Sequence, residues 1–171
     1  GDADSFTVEY TTDGQALNLI YSDSTKGWLP LEDDVVADEP VAPVTQKAIF
    51  AFGNAGGGTG RVSLKNLVNS SGVIAADVTG VGTARWLLAA SGYGGDKAIF
   101  AYGLASGVLS LSNLVSSSGV VSADVTGVGT ARRSIAACGY GGDKGIFGYG
   151  TGLSNTTNLV TNAGVVGTDV S

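Results

Sequence analysis

Apolar and polar positions alternate in short runs along this chain, and clusters of glycine, serine, asparagine and aspartate separate the runs. Phe6, Val8 and Tyr10 alternate with Thr7 and Glu9, Asp13-Gly14 supplies the positive φ angles of a tight turn, and Leu17, Leu19 and Tyr21 alternate on the return. Residues 5–31 therefore read as a β-hairpin with a continuation, in which Ser22 to Gly27 turns the chain again before Trp28 and Leu29. So small a unit cannot bury this many large apolar side chains by itself. Phe6, Val8, Tyr10, Leu19, Tyr21 and Trp28 are accordingly expected to form an oligomerisation surface, with a homo-oligomer as the common way of covering it. Acids and Pro40 and Pro43 follow, and because proline fixes φ and removes a ladder donor, residues 32–46 read as a Pro/acidic linker.

Beyond residue 44 the sequence repeats. Lys47-Ala48-Ile49-Phe50-Ala51-Phe52-Gly53 returns at Lys97 to Gly103 and at Lys144 to Gly150, at offsets of 50 and 47 residues. Asn66-Leu67-Val68 returns at Asn113 and Asn158, Asp77 at Asp124 and Asp169, and Gly82-Thr83-Ala84-Arg85 at Gly129 to Arg132. Within one period the pattern predicts four short strands, over residues 86–91, 98–102, 109–115 and 120–125, with Gly94-Gly95-Asp96 turning the chain. No segment carries a helical apolar period. A four-stranded repeat with a period of about 48 residues matches a β-propeller blade. The expected fold class is all-β: an N-terminal β-hairpin or sandwich-like module over 1–31, the linker over 32–46, and propeller-like repeats over 47–171. Residues 44–171 hold about 2.7 such periods against the roughly four to eight blades of a propeller, so the array is expected to be incomplete, continued by further repeats or by other chains.

Composition narrows the chemistry. Among 171 residues there is no histidine, no methionine and one cysteine, which removes His-ligated metals, Ser-His-Asp triads and an internal disulfide. The expectation is no enzyme, no cofactor and no metal site. Residues 1–43 carry ten acids and one base, Lys26, for a net charge of −9, while the remainder is net +3. That asymmetry marks two units and argues against a nucleic-acid partner for the first, which lacks the clustered cations a phosphate backbone needs. No apolar run approaches the roughly 18 residues of a membrane span, so membrane insertion is not expected. The start at Gly1 without methionine reads as a processed or partial chain.

At Arg85 or Arg132, the Gly-Gly hairpin, the KAIFAYG strand and the SNLV strand, residues 44–171 resemble the kelch family, which implies kelch-like propeller blades. The double glycine sits in the hairpin, however, and the late tryptophan of a kelch repeat is absent. Across most of its length the chain also resembles virion fibre and appendage proteins of tailed bacteriophages, particularly those of marine and cyanobacterial hosts. Segments such as LIYSDSTKGWLP, residues 19–30, and GTAR…GYGGDKAIF carry that likeness. It implies a structural protein on the surface of a virion, in the tail or a capsid appendage. Its partners would be other virion proteins, further copies of itself with a trimer favoured, and a host surface glycan or protein. The alternative implied is an extracellular bacterial adhesin or carbohydrate-binding propeller module.

The periodic Asp77, Asp124 and Asp169 lack DxDxD spacing and read as turn or inter-blade hydrogen-bond acceptors rather than calcium ligands. Arg85 and Arg132 could ring a propeller channel; the plainer reading is that they bond backbone carbonyls or a neighbouring Asp. Cys138 occupies the place of Ser91 and reads as a small packed residue. The run Gly56 to Gly60 lacks the ending of a phosphate loop. The connection after the second strand is 12, 9 and 7 residues long in the three repeats while the rest keeps its spacing, and variable loops on a constant scaffold are where recognition resides. Binding is therefore placed on residues 54–62, 104–108 and 151–156, with Asn54, Thr59, Arg61, Leu104, Ser106, Thr151 and Asn155, and on Trp86 as a partly exposed anchor.

Overall fold

The computed structural model describes residues 18–24, 27–32, 47–57, 60–152 and 155–171, with the backbone alone at 18, 19, 23 and 27–32. Its described strands form four small antiparallel sheets, none closed into a barrel, and no helix lies among the described residues. The chain divides into two units, Gly1–Thr45 and Gln46–Ser171. In the first, β1 (Asn18–Asp23) pairs antiparallel with β2 (Gly27–Glu32), with Tyr21 opposite Trp28. Ile20 and Tyr21 are about half exposed, at 49% and 53%. Phe6, Val8, Tyr10, the linker, and the side chains of Leu19 and Trp28 lie outside the described residues.

In the second unit each repeat is a meander. β5 (Ala89–Tyr93), β6 (Lys97–Leu104) and β7 (Val108–Val115) pair in that order, as do β8 (Ala136–Tyr140), β9 (Lys144–Gly148) and β10 (Thr157–Val160). The first repeat contributes β3 (Ala48–Asn54) and β4 (Arg61–Val68). After the outer strand the chain turns back along it, bridging Val115 to Val121 and Ser112 to Val125, and the other two repeats carry the matching bridges. The strand expected at 120–125 is thus reduced to two bridges. Between them the Asn113 amide donates to the Ser122 carbonyl at 3.1 Å and the Leu114 N–H donates to Ser122 Oγ at 3.0 Å, so side chains replace one ladder bond, while the Ser122 N–H still donates to the Leu114 carbonyl at 2.8 Å.

The first strand of the repeat begins at Ala89, not at residue 86. Leu87 and, one repeat later, Ser134 have left-handed φ values of 54° and 55°, which break the extended run and leave Trp86 in a lone bridge to Leu104.

The three repeats stack, and the stacking makes the core. Phe100, Val115 and Val121 pack towards the first repeat against Ile49, Ala51 and Phe52. Ile99, Ala101 and Tyr102, on the other face of the same strand, pack towards the third against Phe147 and Val160. β6 is therefore covered on both faces, and Ile99, Phe147 and Val160 are fully buried, each worth about 1.5–3 kcal/mol of apolar transfer. Register shifts at Phe52-Gly53 and Tyr102-Gly103 accompany φ values of 64° and 65° at the two aromatic residues. These bulges interrupt the ladder where the ring leans onto the next repeat: Phe52 meets Phe100 and Tyr102 meets Phe147, both at 5.5 Å between centroids. The return turns seal the junctions. A Cβ on Gly164 would lie 2.9 Å from the Tyr93 ring, and one on Gly119 2.5 Å from Leu67.

Candidate functional site

The invariant polar residues of the repeat converge on the junctions. Asp124 accepts hydrogen bonds from the Thr83 hydroxyl at 2.6 Å, the Thr83 N–H at 3.0 Å and the Asn113 amide at 2.9 Å. Asp169 repeats the pattern with Thr130 at 2.6 and 3.0 Å and Asn158 at 2.9 Å. Gly82 and Gly129 make this approach, with φ of 90° and 75°, and a Cβ at Gly82 would sit 2.5 Å from both the Asp124 carboxylate and the Asn113 amide. Only glycine leaves room for the carboxylate there.

Arg85 is fully buried. Its Nε donates to the Tyr102 carbonyl at 2.9 Å and its terminal nitrogens to those of Thr83 and Phe100 at 3.2 and 3.3 Å, while the guanidinium lies 4.3 Å above the Phe52 ring of the preceding repeat. Arg132 lies 4.7 Å above Tyr102 but turns instead to Asn158 Oδ1, at 2.6 Å, and Asp169, at 3.4 Å. Backbone bonds from Gly53 N–H to the Arg85 carbonyl and from Gly103 N–H to that of Arg132, both 2.9 Å, complete the joints. Each arginine is thus a bolt between repeats rather than a member of a solvent-facing ring.

Electrostatics follow burial. Burial brings the Arg85 guanidinium down to about 10, against the pull of Asp124, and it remains charged at neutral pH. The Tyr102 hydroxyl is pushed up to about 12, chiefly by burial. At Asp124 burial acts to raise the carboxyl, but the Thr83 and Asn113 donors outweigh it and hold it below its ordinary range. The same donors from Thr130 and Asn158 lower Asp169. In the first repeat Asp77 accepts from the Asn66 amide at 2.8 Å. These carboxylates serve as hydrogen-bond acceptors, and among the described residues no three His, Cys, Asp or Glu side chains gather as a metal cluster would.

The variable connections join β3 to β4, β6 to β7 and β9 to β10, equivalent places in stacked repeats, so they emerge at one end of the sheets. Asn54 caps its loop by accepting the Gly56 N–H at 3.0 Å, and Arg61, half-buried, opens β4. Trp86 and Leu104 are brought together by paired backbone bonds of 3.1 and 2.8 Å. Trp86 is half-buried, with its indole N–H enclosed and unpaired. Ser106, Thr151 and Asn155 are exposed, Thr151 donating its N–H to the Arg133 carbonyl at 2.9 Å. Thr59 lies outside the described residues.

At the opposite end of the sheets the sequence reading missed a groove. Tyr93, Lys97, Tyr140 and Lys144, with the hairpin glycines of the second and third repeats, line a space of about 260 Å³. Lys97 pairs with Asp96 at 2.8 Å and Lys144 with Asp143 at 2.6 Å, and the Gly94 N–H donates to the Asp143 carbonyl at 2.7 Å, tying the two tips together. The signal was available in the repeated Gly-Tyr-Gly-Gly-Asp-Lys, which reads locally as turn chemistry alone.

Cys138 corrects an expectation. It is exposed, whereas Ser91 at the equivalent place is buried at 6% and donates its hydroxyl to the Cys138 carbonyl at 2.9 Å. The third repeat covers Ser91, and nothing among the described residues covers Cys138 in the same way. Compared with protein-family models and with curated proteins, the chain matches none.

Proposed function

We propose that this chain is a non-enzymatic structural and binding protein of a virion surface, a phage fibre or appendage component. In this reading its repeats act as kelch-like propeller blades, its acidic N-terminal module attaches to other virion proteins and trimerises, and its hairpin loops engage a host surface glycan or protein. The observation that carries this reading is a division of labour within the repeat. Arg85, Arg132, Asp124, Asp169 and their Thr and Asn partners are consumed in joining repeats, while the changes in length fall on one connection that emerges at one end of the sheets. The Gly, Ser, Thr and Asn of those loops suit shallow, hydrogen-bonded contact, and weak single contacts become useful when many copies act together.

A second reading, a carbohydrate-binding module of a bacterial adhesin, is favoured by the groove at the other end, where tyrosine and lysine side chains line a space that could hold a sugar. Replacing residues 54–60 by the shorter loop of the second repeat separates the two. The loop reading expects an unchanged melting temperature with reduced attachment to host cells. Unreduced attachment in the loop variant, with loss in Tyr140→Ala, would assign binding to the groove.

A further inference from the structure

The junctions between repeats have two different halves, and both halves are also exposed elsewhere in the same unit. One half is the face of Phe100 and Val121, each 5% exposed where the second repeat meets the first. Its counterpart on the first repeat is Phe50 and Ile74, at 62% and 59%. The other half is the face of Tyr102 and Tyr93, 0% and 5% exposed where the second repeat meets the third; on the third repeat the same positions are Tyr149 and Tyr140, at 59% and 40%, beside Leu159 at 43%. Sequences nearly identical to buried core strands thus lie open on two outward faces. The junctions already present identify what covers each one, because the Phe50-type face seats on the Tyr149-type face twice within the chain.

We infer that a second copy of this chain docks head to tail, the Phe50 face of one on the Tyr149 face of the other, repeating the operation that relates neighbouring repeats. The contact is heterologous, so each copy keeps one face of each kind free for the next. By the internal pattern Phe50 lies against Tyr149, and the turn at Gly72, whose Cβ position is open, lies on Leu159 as the Gly119 turn lies on Leu67. No Thr-x-Arg bolt crosses this joint: Arg85 and Arg132 are both spent on internal ones, and no described arginine stacks on Tyr149. The association is therefore weaker than the internal junctions, and reversible. It uses surfaces of Gln46–Ser171.

A photoreactive phenylalanine at position 50 of the full chain, in an equal mixture of isotopically light and heavy chains, tests the geometry. The expected products are heavy–light cross-links from position 50 to residues around Tyr149 and Leu159. Their yield should fall at least about tenfold in Tyr149→Glu, the scale of losing a central interface aromatic, while the melting temperature of that variant stays unchanged because the side chain is exposed. The reciprocal probe at position 149 should capture the segments around Phe50 and Ile74. Cross-links confined to one chain, links from position 50 to position 50 of another chain, links to residues 1–45, or none from either probe would overturn head-to-tail docking.

Discussion

Replacing Arg85 by lysine keeps the positive charge and most of the length of the side chain, and removes the planar fork. The fork holds the carbonyls of Tyr102, Phe100 and Thr83 at 2.9, 3.3 and 3.2 Å in a site with no solvent exposure. A single ammonium at the end of a flexible stem cannot meet all three directions while lying flat on Phe52. With two buried carbonyls left unpaired at about 1–3 kcal/mol each, the cost is about 2–6 kcal/mol. Loss of the stacked guanidinium adds about 1–2 kcal/mol. Lysine keeps its charge in the same buried site, so the burial penalty that brings Arg85 down to about 10 is not relieved, and the net destabilisation is about 3–8 kcal/mol, a large share of the stability of a small domain. Urea unfolding followed by tryptophan fluorescence reads it, since Trp86 adjoins the joint. Arg85→Met separates the causes: the missing hydrogen bonds predict that methionine is costly too, whereas a dominant burial penalty would make it neutral or stabilising. A lysine variant within about 0.5 kcal/mol of the parent, the range of an ordinary surface change, would refute the account of Arg85 as a bolt.

Gly82→Ala should destabilise by more than about 2 kcal/mol, because it adds a Cβ 2.5 Å from the Asp124–Asn113 pair to the backbone strain, whereas Gly95→Ala, at φ 79° with open space around it, should cost only about 1 kcal/mol of backbone strain; thermal melting of the two variants gives the comparison. Asp124 and Asp169 are held below 3.8 in the folded protein, so the stability they contribute is complete above that value and is lost as the pH falls through their lower folded values. Urea midpoints measured from neutral pH downwards should be level and then fall below pH 3.8. Asp124→Asn should flatten part of that fall, and a parent curve level down to about pH 2 would contradict the assignment.

Much of the architecture was legible in local pattern. Short alternating runs between glycines announced strands, the recurrence of KAIFAYG-type segments announced stacked equivalent sheets, and Gly94-Gly95-Asp96 announced a turn. The misplacements have a common physical origin. Residues 86–88 are apolar, but Leu87 takes a left-handed conformation, and no local rule puts a leucine there; it is held by the bridge of Trp86 to Leu104 and by the Leu87 carbonyl accepting from Ser134. The return segment 120–125 has strand-like composition, yet the Asn113 and Ser122 side chains take over one of its ladder bonds, a competition between side chain and backbone that composition does not reveal.

The sequence by itself determined that this protein is all-β, that it is built from like units, and that its periodic Arg, Asp, Asn, Thr and Gly form a set. Only the tertiary structure decided what that set does and which faces are closed. Phe50, Phe100 and Phe147 stand in equivalent strands with nearly the same neighbours, but they are 62%, 5% and 0% exposed. Cys138 and Ser91 differ in the same way, and so do Tyr149 and Tyr102. Local propensity and alternation assign a side chain to one face of a strand, and they assign all the copies alike. Burial depends on what lies across that face, which is a property of the stacking order and is identical for no two repeats.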